Sequence, residues 1–89
     1  MPFAVVTRVN LEGRDQEQDR QRLRDEAIPH LKSLPGFQSA RFLGSTDGKT
    51  GVGVIVFDSE ANAKEALAAR PPDAGPFESE EIYEVAIEV

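Results

Sequence analysis

The chain has 89 residues, with 10 Lys/Arg against 16 Asp/Glu for a formal charge of −6, 39% hydrophobic residues and no cysteine. Such a length fits one domain over residues 1–89, near the small end of what buries an adequate core without disulfides or metal. The missing cysteines exclude a disulfide framework, Cys-ligated zinc or iron–sulfur centres and Cys nucleophiles, and the acidic balance argues against a nucleic-acid partner, which needs Lys/Arg in excess on one face.

Nowhere do about 18 apolar residues follow one another, and Met1-Pro2-Phe3-Ala4-Val5-Val6 lacks the basic leader of a secretion signal. A cytoplasmic protein without a membrane partner is expected. The charge is uneven: residues 1–44 hold 7 Lys/Arg and 6 Asp/Glu, residues 45–89 hold 3 and 10. Glu78, Glu80, Glu81, Glu84 and Glu88 form an acidic cluster. It reads as a solvated edge, or as a surface that meets the arginines of the first helix across a subunit boundary.

In chain order, residues 3–10 form a strand whose unbroken apolar start, Phe3 to Val6, marks cover on both faces. A turn at Leu11-Glu12-Gly13-Arg14 leads to a helix over residues 15–34, capped by Asp15 or Asp19, whose Leu23, Ala27, Leu31 and Leu34 share one face. Pro29 removes the amide that would bond the Asp25 carbonyl, so the helix is expected to kink or tighten there and to bend rather than end. Pro35-Gly36 stops the helix.

A hairpin follows, with strands over residues 37–45 and 49–57 joined through Asp47-Gly48, a dipeptide suited to two central positions of positive φ. That register sets Leu43 opposite Val52, Phe42 opposite Gly53, Arg41 opposite Val54, Ala40 opposite Ile55 and Gln38 opposite Phe57. Asp58-Ser59 with Glu60 announces a second helix to about Arg70, with a thin inward face of Ala63, Ala66 and Leu67. Residues 70–76, rich in Pro and Gly, read as a loop, and residues 82–89 as the last strand.

The order β-α-β-β-α-β is the ferredoxin-like plan, an α+β fold in which an antiparallel sheet carries two helices on one face. The first and third strands, the two continuous apolar runs, belong in its centre. Two helices cover one face only, and the apolar character of the other implies a second copy laid sheet to sheet in a closed two-fold homodimer.

With that order, the chain resembles the dimeric α/β-barrel superfamily, and within it the antibiotic-biosynthesis-monooxygenase-like group. The likeness is carried by Ile28-Pro29-His30-Leu31 leading to Leu34-Pro35-Gly36-Phe37, by the hairpin, and by Val54-Ile55-Val56-Phe57-Asp58-Ser59-Glu60 entering an Ala-rich helix. The resemblance implies a pocket between helices and sheet in each subunit. It also implies membership of a set that includes cofactor-independent oxygenases of polyketide-like aromatics, haem-degrading enzymes, isomerases and proteins of no known activity. The chain departs from the enzymatic patterns in having no Trp and no His in residues 60–70, which argues against haem handling.

His30 is the sole histidine and the one side chain that titrates near neutrality without a large shift. It falls on the inward face of the first helix with Glu26 one turn earlier, so a Glu26–His30 catalytic pair is the functional reading; a helix histidine bonded to a carbonyl or swung outward is the structural one. A single His without a second His or Cys makes no metal site, and no cofactor is expected. Arg8 and Asn10, on one face of the first strand, and Arg41 on the hairpin are candidates to fix a polar group of a ligand in an apolar pocket, or else form a rim of ion pairs with Glu84 or Glu88. Phe42, Phe57 and Leu31 are expected to line that pocket, and Tyr83 either presents its hydroxyl to a ligand or sits at the dimer interface. Gly51-Val52-Gly53 lies within a strand and is no phosphate loop. The chain therefore reads as a homodimeric binding or interaction module with a pocket for a small apolar or aromatic compound, or as a cofactor-independent monooxygenase or isomerase built on the same dimer.

Overall fold

The computed structural model describes residues 1–69 and 77–89. The chain runs β1 (Phe3–Asn10), α1 (Gln16–Arg22), a π-helical turn (Leu23–Ala27), α2 (Ile28–Lys32), β2 (Phe37–Gly44), β3 (Thr50–Phe57), α3 (Glu60–Ala68) and β4 (Phe77–Glu84). The four strands form one antiparallel sheet in the order β2-β3-β1-β4, so the two apolar runs lie in its centre. This is the ferredoxin-like α+β fold. The loop expected over residues 70–76 lies outside the described residues.

The first helix is one continuous rod from Gln16 to Lys32, made of α1, the π turn and α2. Asp15 caps it, its Oδ1 accepting the Gln18 amide at 3.2 Å. Where a kink or a tightening was expected at Pro29, the helix widens one turn earlier instead: the Ile28 N–H reaches back five residues to the Leu23 carbonyl. Widening relieves the crowding of the proline ring on the preceding turn, where Pro29 has no N–H to give. The end comes at Lys32, two residues short of Leu34, because Ser33 and Leu34 close tighter turns onto the His30 and Leu31 carbonyls, both at 3.1 Å. Gly36 then takes φ +78°, and a Cβ there would run into the Asp58 and Asn62 side chains at the entry to α3.

The hairpin register holds from Ala40 to Gly44, but a bulge after Phe37 sets Phe37, not Gln38, opposite Phe57. The two rings meet edge to face with centroids 6.2 Å apart, a contact that the bulge brings about. Asp47 does not take positive φ. Gly48 alone does, at 74°, and its amide bonds the Ser45 carbonyl, while the Asp47 carboxylate accepts the Ser45 hydroxyl and the Lys49 amide. The longer loop therefore needs one left-handed residue rather than two.

The last strand occupies Phe77–Glu84 rather than residues 82–89. It follows its partner: Glu84 pairs with Phe3, one more bond joins the Val85 amide to the Pro2 carbonyl at 2.9 Å, and β1 offers nothing beyond.

Ser59 caps α3 by accepting the Asn62 amide at 3.2 Å. Its small inward residues let it sit close to the sheet, with Ala63 fully buried against Val5, Ile55 and Phe57. That cluster is the core, and Leu34, Phe37, Leu67 and Ile82 pack around it. By contrast the first helix buries no residue along its whole length.

Candidate functional site

The gap between that first helix and the sheet is a cavity of about 600 Å³. Its floor is the helix-side face of β1 and β3, with Val5, Val9 and Ile55; its roof is the apolar stripe Leu23, Ala27 and Leu31; Ala66 of α3 closes one side. The stripe that would seal an ordinary core here stays half-buried over open space. At the far end the helix is tethered to the hairpin tip by the Gln16 side-chain amide, which donates to the Gly48 carbonyl at 2.9 Å.

One row of residues crosses the floor. The pairings set Phe42 opposite Gly53, Gly53 opposite Thr7 and Thr7 opposite Glu80, and all four line the cavity. Gly53 is what lets them approach: the Thr7 Oγ1 stands 2.6 Å and the Phe42 ring 3.3 Å from where a Cβ on residue 53 would be. Thr7 is buried and Glu80 half-buried, so a hydroxyl and a carboxylate are set into an otherwise apolar floor. Polar groups so placed orient a ligand, while the apolar walls hold it.

Neither Thr7 nor Glu80 was singled out as a site residue in the sequence. Glu80 was counted with the acidic cluster, yet the alternation of the last strand carries the signal: Ile82 faces inward against Val5, so Glu80 does too and Glu81 does not.

The rim holds charge. Arg14 donates from Nε to Asp19 Oδ2 at 2.9 Å and from Nη2 to Oδ1 at 3.0 Å, and both residues line the cavity. That hydrogen bond, aided by the guanidinium charge, holds the Asp19 carboxyl below its ordinary range and raises the Arg14 pKa. His30 and Glu26 both lie on the cavity wall and both are exposed. Glu26 Oε2 faces Arg22 Nε at 3.7 Å, and among the described residues the His30 ring makes no hydrogen bond.

Of the residues considered for ligand contact, Phe42 lines the cavity. Arg8, Asn10, Arg41 and Tyr83 stand on the opposite face of the sheet, paired alongside Val52, Thr50, Val54 and Ala4 respectively. The Asn10 side-chain oxygen accepts the Glu12 amide at 2.9 Å, and the Tyr83 hydroxyl donates to Glu81. That bond and the Glu81 charge push the Tyr83 pKa up. Phe57, also expected in the pocket, contributes to its wall from the core side with no exposed surface of its own. Among the described residues no cluster of His, Asp and Glu fits a metal ion, and no helix is long and apolar enough to cross a membrane.

No family model matches the chain, and no curated protein matches it in sequence. Solved structures do match in shape. The chain is similar to Rv0793 from Mycobacterium tuberculosis, at 19% identity over 99% of this chain and 98% of that one, with a TM-score of 0.72. It is also similar to a monooxygenase from the gene ActVA-Orf6 of Streptomyces coelicolor in complex with nanaomycin D, at 22% identity over 98% and 89%, with a TM-score of 0.65. Both share the ferredoxin-like fold of this chain, and the resemblance read from the hairpin and its flanking helices stands as a likeness of fold.

Proposed function

We propose that this chain is a small-molecule-binding protein that holds an apolar or aromatic compound between its first helix and its sheet, and that it works in the cytoplasm as a sheet-to-sheet homodimer. The observation that carries the reading is the cavity of about 600 Å³ beneath a helix that buries nothing. The space is a cleft open to solvent at its charged rim, and a ligand seated in it would remove the apolar floor and roof from water. The volume falls within the range of about 300–1,000 Å³ that small-molecule sites occupy. The dimer is supported by the other face of the sheet, where Leu43 and Tyr83 are half exposed beside Val6, Val52, Val54 and Val56.

The test is to fill the space. Ala27→Trp places an indole in the cavity roof, and it should abolish binding of apolar aromatic probes while leaving the thermal melting temperature unchanged or higher. Probes that bind the variant as well as the wild type would place their site elsewhere.

A second reading, a cofactor-independent monooxygenase or isomerase, is favoured by the monooxygenase among the similar structures and by His30 and Glu26 on the cavity wall. On that reading His30→Ala stops turnover in a folded protein, and unchanged turnover removes His30 from the mechanism.

A further inference from the structure

Resting on the dimer proposed above, we infer how its two sheets are oriented: β4 of each copy lies over β2 of the other, and Glu81 of one copy pairs with Arg41 of the second. The registers set Arg41 opposite Val54, Val54 opposite Val6 and Val6 opposite Glu81. These four residues form a straight row across all four strands, on the face turned away from the helices. A cation ends the row at one edge of the sheet, an anion ends it at the other, and two valines lie between.

Within one copy the two charges cannot meet, because three inter-strand steps separate them by about 14 Å. Among the described residues neither Arg41 nor Glu81 belongs to an ion pair. Glu81 accepts the Tyr83 hydroxyl, a neutral partner. Arg8 lies one row along, opposite Ser79 and diagonal to Glu81.

For sheets packed in the aligned way, a two-fold axis between them runs either across the strands or along them. Run across at the height of this mid-strand row, it stacks each strand on its own copy, so Arg41 meets Arg41 and Glu81 meets Glu81. Run along, it turns the row end for end at the same height: Glu81 meets Arg41, Val6 meets Val54, and the pairing occurs twice. Opposite charges on the two surfaces favour association and like charges oppose it, so the row selects the second axis. The usual rotation of about 30° between packed sheets moves the ends of the row by only about 4 Å, within reach of an arginine side chain.

Charge reversal tests this, read by sedimentation equilibrium of the purified chain. Arg41→Glu and Glu81→Arg, both at exposed positions, should each weaken the dimer by more than about tenfold. Mixing the two variants should restore it as a heterodimer, since each copy then offers the other two opposite-charge pairs, and the double variant R41E/E81R should dimerise like the wild type. Circular dichroism of each variant confirms the fold, and the recovery on mixing shows that the loss comes from the interface. Singles that dimerise as tightly as the wild type, or a mixture that stays monomeric, overturn the orientation while leaving the dimer intact. A wild-type chain that is itself monomeric overturns the dimer and this pairing together.

Discussion

The behaviour of single residues here follows from which face of the sheet each strand position takes. Glu80 and Glu81 are neighbours in an acidic run, yet one carboxylate is set into the cavity floor and the other onto the opposite face. Composition alone merges them, whereas alternation measured from Ile82 separates them. Thr7 was hidden differently, since its value as a buried hydroxyl depends on the missing side chain of Gly53, distant in the sequence but adjacent in the sheet. His30 and Glu26 were placed on the inward flank by helical spacing, and they do lie on the cavity wall, but Glu26 is drawn to Arg22 on the helix surface. The Arg14–Asp19 pair at the rim gives a pH signature. Because the folded Asp19 carboxyl sits below its ordinary value, its contribution is present above the unfolded pKa of about 3.9 and fades as the pH falls through the lower folded value. Asp19→Asn should therefore cost less than about 1 kcal/mol in urea unfolding at pH 7, as befits a partly exposed pair, and the difference should shrink as the pH falls below the unfolded value of about 3.9. A difference that grows on acidification would show that the pair is not its source.

The elements differ in how much of them was readable. The centre of the sheet was, because two unbroken apolar runs can only be strands covered on both sides, and β1 spans the residues expected of it. The hairpin register was readable from its turn as far as Ala40, and the bulge beyond was not, since it answers the packing of Phe37 on Phe57 rather than any local preference. The last strand was displaced by five residues because its start, Phe77-Glu78-Ser79-Glu80, looks polar, and its extent is set by the length of β1. The first helix is the element on which the proposed binding turns. Pro29 announces a disturbance, but its form, a π turn over the cavity, is not legible from local preference. A helix without buried residues is held by little, so its amides should exchange with deuterium faster than those of β1, β3 and α3 in the ligand-free protein, and ligand should slow them selectively. Equal protection of α1 and α3 without ligand would mean that the helix is packed and the cavity closed.

At the scale of the whole molecule, the two faces of one sheet are given separate work. The helix side carries the cavity and its row Phe42, Gly53, Thr7 and Glu80; the other side carries the row Arg41, Val54, Val6 and Glu81, on which the proposed dimer would close. On the proposed reading, adjacent positions on each strand serve binding and assembly in alternation. The fold was readable from the order and apolar content of the elements, and the cavity was not, because its volume is a property of spacing between layers rather than of any residue. The central claim, a dimer with a filled cavity, is tested most directly by native mass spectrometry of freshly purified protein. The account predicts a species near twice 9.7 kDa carrying extra mass of small-molecule size, released when the protein is denatured. A monomer, or a wild-type dimer that carries no added mass even when apolar aromatic probes are offered in excess, would contradict it.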